Sequence, residues 1–152
     1  MLKVFTICIS HIPNIALFLD NTLCLFEHKY QGVVGWGHKP TADKARCYAL
    51  KHNLPYIALE DGFLRSLDLG CKGAQPLSLV VDHTGIYYDA TGPSDLENLL
   101  NGSGGDSEGQ LQSAQHAIEA IKRHDLSKYN HAPRAAEGLL GDASCPRVLI
   151  LD

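Results

Sequence analysis

One stretch limits the fold more than any other: a strand-like run, a turn, a helix and a second strand-like run, each strand ending in charged residues. Gly32 to Trp36 reads as a strand that closes in Gly35-Trp36-Gly37-His38-Lys39-Pro40. Thr41 then stands as a helix N-cap, and the sequence predicts a helix over Ala42–His52, with Ala45, Tyr48 and Ala49 on one face at i, i+3, i+4 spacing. Asn53 is a stop, and Pro55 to Leu59 returns as a strand that runs into Glu60-Asp61. A strand-helix-strand unit of this kind is parallel. The carboxyl ends of parallel strands open into the ligand crevice of an α/β fold. Glu60, Asp61 and Arg65 after one strand, and His38 and Lys39 after the other, are therefore expected at that crevice.

The rest of the chain supplies further elements. Val4 to Ile9 reads as a buried first strand. Ile15 to Leu19, after Pro13, reads as a turn or two of helix. Leu23 to Phe26 is too short for periodicity to separate strand from loop. Leu77–Val81 and Ile86–Tyr88 read as two short strands around the turn Asp82-His83-Thr84-Gly85. Ser94-Asp95-Leu96-Glu97 has the capping-box pattern and opens a helix through Leu100. Residues 1–100 thus form the expected α/β domain. The Gly/Ser-rich residues 101–107 read as a flexible linker. Residues 108–145 follow as a helical segment, with Leu111, Ala114, Ile118 and Ile121 on one side. Residues 146–152 read as the first strand of a further, missing domain, with a C-terminal edge strand of one complete domain as the alternative.

Composition removes several function classes. With 152 residues, 45% of them hydrophobic and 20% charged, the chain is globular in character. A net charge of −4 argues against a nucleic-acid binder. No apolar run reaches the ~18 residues of a membrane span, and the start is too short and too polar for a signal peptide. The five cysteines, Cys8, Cys24, Cys47, Cys71 and Cys145, contain no Cys-x-x-Cys, so neither a disulfide framework nor a zinc site is expected. Free thiols fit a reducing cytoplasm.

Among the candidate groups, Glu60 and Asp61 are adjacent carboxylates whose pKa values could separate, one of them then acting as general acid or base. A solvated Asp-Gly turn explains the pair as well. Arg65 has the geometry to receive a carboxylate or phosphate, or to form a surface salt bridge. His38 and Lys39, before a helix start, give a weak anion-site signal. The other histidines show no metal-ligand spacing. Asp82 and Asp89 flank a turn and read as structural. Tyr87 and Tyr88 read as one buried and one exposed strand residue. No Gly-x-Ser-x-Gly is present to support a serine hydrolase.

Taken together, Gly35–Pro40 with Ala42–Arg46, Leu59–Ser66, Pro76–Asp82 with Gly85–Thr91, Ser127–Asn130 and Val148–Asp152 resemble the bacterial capsule polysaccharide β-Kdo transferases. Leu59-Glu60-Asp61-Gly62-Phe63-Leu64-Arg65-Ser66 and Gly85-Ile86-Tyr87-Tyr88-Asp89-Ala90-Thr91 are the most specific marks. The resemblance implies the Rossmann-like, acceptor-side half of a GT-B-type glycosyltransferase, truncated before its nucleotide-sugar half. The implied enzyme retains configuration and moves Kdo, an acidic sugar, from CMP-Kdo to a lipid-linked saccharide acceptor in capsule biosynthesis and export. It uses no cofactor beyond that donor substrate. By the two-carboxylate logic of retaining glycosidases, the resemblance gives Asp152 the role of nucleophile and Asp61 that of acid/base, with Glu60 orienting Asp61. Arg65, His38, Lys39 and Ser66 would bind substrate. Implied partners are the acceptor, the missing nucleotide-sugar domain and other capsule assembly or export proteins. The implied location is the cytoplasm, peripheral to the inner face of the inner membrane. A half-enzyme of this kind is expected to be inactive and, with its partner surface bare, to associate. The competing readings are a non-catalytic binding or assembly module for capsule export and an unrelated Rossmann-like nucleotide binder, which would lack its glycine fingerprint.

Overall fold

In the computed structural model, residues 1–25, 29–102 and 107–133 are described, together with residues 136, 138, 139, 141, 144, 146 and 148. Phe26, the linker residues 103–106 and the end of the expected last strand, including Asp152, lie outside the described residues.

Five strands form one sheet. They are β1 (Leu2–Val4), β2 (Leu23–Cys24), β3 (Gly32–Trp36), β4 (Tyr56–Asp61) and β5 (Leu79–Asp82), in the spatial order β2-β1-β3-β4-β5. The first four run parallel, and β5 pairs antiparallel with β4 in the register Ala58↔Asp82 to Asp61↔Leu79. The chain leaves β1 toward β2 on one side and comes back to build β3 on the other. The strand order therefore reverses between β1 and β3.

Strands covered on both faces are apolar at successive positions. Val33, Val34, Ala58 and Leu59 are fully buried. Alternation sends Val34, Ile57 and Leu59 to one face, where they meet Leu2, Val4, Ile9, Ile12, Ile15 and Leu19. Two short helices, α1 (Ile7–Ser10) and α2 (Ile15–Phe18), carry Ile9 and Ile15, with Ile12 between them and Leu19 at the C-cap of α2. Val33 points the other way, onto Ala45 and Ala49 of α3 (Asp43–Lys51). Alanine at both positions lets the helix backbone approach the sheet.

The strand-helix-strand unit is as read, with three local corrections. The first strand stops at Val4, and Ile7–Ser10 is helical; a short run that is apolar except for Thr6 has too little period to tell the two apart. Thr41 is not an N-cap: Pro40–Ala42 forms a 3-10 turn, and α3 starts behind Ala42 without a side-chain cap. Ile86–Tyr88 is not a strand. The Asp82 carboxylate takes the backbone N–H groups of Thr84, Gly85 and Asp95 and turns the chain away from β5, while Ile86 plugs the core at 1% exposure. The structural reading of Asp82 is thereby borne out.

Asn53 ends α3 as expected, with φ 51°. The Leu54 N–H bonds to Ala49 O and the Asn53 N–H to Leu50 O, which is the Schellman pattern. Ser94 caps α4 (Asp95–Asn101) through the Glu97 N–H at 3.1 Å. The last helix, α5 (Glu108–Arg123), opens on a complete Ser107/Gln110 capping box, yet none of its residues is buried among the described ones. Its expected apolar side is bare: Leu111 and Ile118 are exposed. Beyond α5 the chain returns to the sheet. The Lys128 carbonyl accepts the Arg65 N–H, and Asn130 donates from backbone and side chain to Ser66 O. Cys8, Cys47 and Cys71 are free thiols. Among the described residues no helix is long and apolar enough to cross a membrane.

Candidate functional site

The parallel pairing of β3 with β4, in the register Trp36↔Leu59, brings the ends of both strands to one edge. Glu60 is 7% exposed there. Its Oε1 accepts the Trp36 indole N–H at 3.1 Å and the Asp61 backbone N–H at 3.1 Å. Among the described residues its Oε2 is buried without a hydrogen bond and has the Lys39 ammonium, 3.4 Å away, as its counter-charge. A buried carboxylate needs such partners. The arrangement joins Trp36, Lys39 and Asp61 through one side chain.

Arg65 is buried and heavily engaged. Its Nε donates to Asp61 Oδ1 at 2.7 Å, and its Nη1 donates to Ser66 Oγ at 2.9 Å and to the Ala74 carbonyl at 2.8 Å. Ser66 in turn spends its hydroxyl proton on Asp68 O at 2.5 Å. Breaking such a buried pair leaves an uncompensated charge. Arg65 and Ser66 therefore hold the loop after β4 in shape. Of the Arg65 nitrogens, only Nη2 has no protein hydrogen bond among the described residues. Among the described residues no donor reaches the second oxygen of Asp61.

His38 follows Gly37, which has φ 53° and lies under the Tyr88 hydroxyl. That hydroxyl accepts the His38 backbone N–H at 3.0 Å, and Tyr56 donates its hydroxyl proton to Gly37 O at 2.7 Å. Burial pushes the Tyr56 phenol up to about 12. The His38 ring meets Asp89: Nδ1 to Oδ2 is 2.6 Å. Asp89 Oδ1 accepts from the Thr91 N–H at 3.0 Å and the Thr91 hydroxyl at 2.6 Å. The Thr91 hydroxyl first, then His38, then the Thr91 N–H hold the Asp89 carboxyl well below the usual range. An ionised carboxylate only accepts, so the Nδ1 atom carries a proton and Nε2 is left open.

The structure thus gathers Glu60, Asp61, Arg65, Ser66, His38 and Lys39 around the ends of β3 and β4. Asp152 lies outside the described residues. The sequence reading missed the part played by Asp89 and Tyr88. Their segment was already marked by its resemblance, but nothing local shows a contact made across 51 residues. Among the described residues no cluster of three His, Cys, Asp or Glu side chains could hold a metal ion.

A mixed, mainly parallel five-stranded α/β sheet with carboxylates at its strand ends is the class these features define. The chain belongs to the capsule polysaccharide biosynthesis protein family, whose model matches residues 31–145. It is 46% identical over 147 residues to the capsule polysaccharide modification protein LipA of Neisseria meningitidis serogroup B, covering 95% of this chain and 21% of that protein. It is 43% identical over 113 residues to the lipopolysaccharide-processing protein LpsZ of Rhizobium meliloti, covering 74% of this chain and 25% of that one. Among solved structures it is similar to the β-Kdo 2,4 transferase of Thermosulfurimonas dismutans KpsC, with a TM-score of 0.83 and 43% identity over 91% of this chain and 44% of that chain. The β-Kdo 2,7 transferase of the same protein gives a TM-score of 0.58 at 30% identity, over 88% of this chain and 45% of that chain. The chain spans about a fifth of the length of the LipA relatives it matches.

Proposed function

We propose that this chain is the acceptor-side half of a retaining glycosyltransferase that moves Kdo from CMP-Kdo to a lipid-linked saccharide acceptor during capsule polysaccharide synthesis. The observation that carries the reading is the Glu60–Asp61 pair at the end of β4, held at one edge with His38 and Lys39 of the turn after β3. The likeness to two β-Kdo transferase structures supports it.

In this reading Asp61 handles the proton of the acceptor hydroxyl. The Arg65 Nε fixes one of its oxygens, and the other meets no donor among the described residues. Glu60 orients Asp61 by taking its backbone N–H. Lys39, and His38 through Nε2 when the ring carries a second proton, meet anionic groups of the substrates, and Arg65 has its Nη2 left for the same task. Asp152 is the nucleophile that forms the glycosyl-enzyme, as retention with two carboxylates requires. The nucleotide-sugar half lies in the further length that the relatives carry, so the 152-residue chain alone does not turn over donor. The work is done at the inner face of the membrane, where a lipid-linked acceptor is within reach.

The test is transfer from CMP-Kdo to a Kdo-terminated lipid acceptor by the complete protein carrying this segment. Asn at position 61 keeps an oxygen for the Arg65 Nε but handles no proton. Asp61→Asn should lower the rate ~10²- to 10⁴-fold, the range for a general acid or base, with an unchanged circular dichroism spectrum. Transfer at the normal rate would overturn the assignment.

A further inference from the structure

The longest helix among the described residues adds nothing to the core. None of the sixteen residues of α5 is buried, and Leu111 and Ile118 stand 56% and 45% exposed. A helix in a folded protein gains most of its stability by packing an apolar face. The apolar residues Leu111, Ala114, Ile118 and Ile121 recur at intervals of three, four and three. That is the narrow a/d seam of a helix that pairs with another helix, rather than the wider stripe of one that lies on a sheet.

The remaining residues of the helix select the partner. Charge is sorted by end, with Glu108 in the first turn and Lys122 and Arg123 in the last. Neither Glu108 nor Lys122 has an ion pair among the described residues. With Leu111 and Ile118 at the a positions, Glu108 and Lys122 both fall at e, on one flank of the seam. Two copies of α5 laid antiparallel bring e positions against e positions, so Glu108 of each copy meets Lys122 of the other. The same register sets Leu111 against Ile121, and Ala114 against Ile118, small against large. A parallel pair would stack Ala114 on Ala114 and put Lys122 beside Ala117, leaving both charges unmet. A lipid surface is the poorer match. Glu108 and Glu119 balance Lys122 and Arg123, and the apolar side carries no aromatic anchor.

We infer that the exposed face of α5 is a self-complementary docking surface for a second copy of this chain, the two helices antiparallel and clasped at each end by a Glu108–Lys122 pair. An isologous contact of this kind closes at two copies. The inference is independent of the transferase reading, because α5 carries none of the residues assigned there. A single helix pair about 24 Å long lies at the small end of protein interfaces, so the dimer is weak and dissociates on dilution.

The test is sedimentation equilibrium of the 152-residue chain up to millimolar concentration, with circular dichroism to check that each variant keeps its helix content. Wild type is expected to reach a dimer and no larger species. Ile118→Glu puts a charge into the seam and should leave only monomer. Glu108→Lys and Lys122→Glu each turn two attractions into two repulsions, and each should raise the dissociation constant about 10-fold. The double variant Glu108→Lys/Lys122→Glu exchanges the signs and should return toward the wild-type value. Neither a loss of helix nor association through another apolar patch would produce that rescue. A wild-type chain that stays monomeric, a dimer indifferent to Ile118→Glu, or charge variants that do not rescue each other overturns the inference. So does a monomer that binds vesicles of phosphatidylglycerol and phosphatidylethanolamine and loses them in Ile118→Glu, since the face then belongs to a lipid surface.

Discussion

Replacing Gly37 by alanine tests how the turn before His38 is held. The residue has φ 53°, and a Cβ there would lie 1.9 Å from the Tyr88 hydroxyl. Two costs follow. The left-handed backbone penalises a non-glycine residue by about 1–2 kcal/mol. Tyr88 is 44% exposed and swings aside rather than blocking the site, so the second cost is the lost hydrogen bond from the His38 N–H, about 0.5–1.5 kcal/mol. The sum is roughly 1.5–3.5 kcal/mol. Gly73 supplies the control: its φ is 86° and a Cβ there meets nothing within 4 Å, so Gly73→Ala carries the backbone cost alone. Tyr88→Phe separates the rest. In the wild-type background it should cost about 0.5–1.5 kcal/mol, and in Gly37→Ala close to nothing, because the hydroxyl is already displaced. Urea unfolding of the four variants and wild type reads all of these as midpoint shifts at constant slope. The reasoning is refuted if Gly37→Ala is no worse than Gly73→Ala. It also fails if Gly37→Ala and Tyr88→Phe add within about 0.3–0.5 kcal/mol, the tolerance for independent sites.

Two titrations follow from the same region. Tyr56 is raised to about 12 by burial, so its contribution to stability is complete below the ordinary tyrosine value near 10 and is lost as pH rises from there to about 12. Phenolate absorbance should show one late-titrating tyrosine that is absent in Tyr56→Phe, and a tyrosine spectrum with no late component would refute this. The Asp89 carboxyl is held low by Thr91 and His38, so its stabilisation is present above the unfolded carboxylate value near 4 and is lost as pH falls through the folded one. Asp89→Asn should therefore unfold more readily than wild type at neutral pH and converge with it in strong acid. A gap between the two proteins that persists at the acid end would contradict the assignment.

What the sequence revealed about this molecule divides along a physical line. β3 was legible residue for residue, and so were the α3 stop at Asn53 and the α4 cap at Ser94, because glycine, asparagine and serine act on their immediate neighbours. The switch from strand to helix after Val4 was not, since the short run Val4–Ile9, apolar except for Thr6, fits either state and tertiary packing of Ile9 decides. Nor was the antiparallel pairing of β5 with β4, or the turn that removes Ile86 from any strand, because both depend on where the buried Asp82 carboxylate finds its donors. The site follows the same division. Glu60, Asp61, Arg65, His38 and Lys39 were visible as residue types at strand ends. The Trp36–Glu60 and His38–Asp89 contacts span 24 and 51 residues and exist only once the sheet has formed. Arg65 is the clearest shift in meaning: a residue type that suggests a surface anion site is mostly committed to bracing its own loop.

The return of the chain after α5 sets where this protein tolerates changes of length. Residues 128 and 130 are tied to Arg65, Ser66 and Leu67 by backbone and side-chain hydrogen bonds, and Ser66 pairs with Tyr129 as a short parallel bridge. Between that clasp and the end of α4 at Asn101 the described chain makes an excursion in which no residue is buried. Its two ends are fixed independently of what lies between, and lengthening a loop whose ends are already pinned costs only about 0.6 kcal/mol per doubling. Insertions, deletions or an affinity tag placed in the excursion should therefore leave the β4 edge undisturbed, whereas a single residue added between Ser127 and Asn130 would put the clasp out of register and reach Asp61 through Arg65.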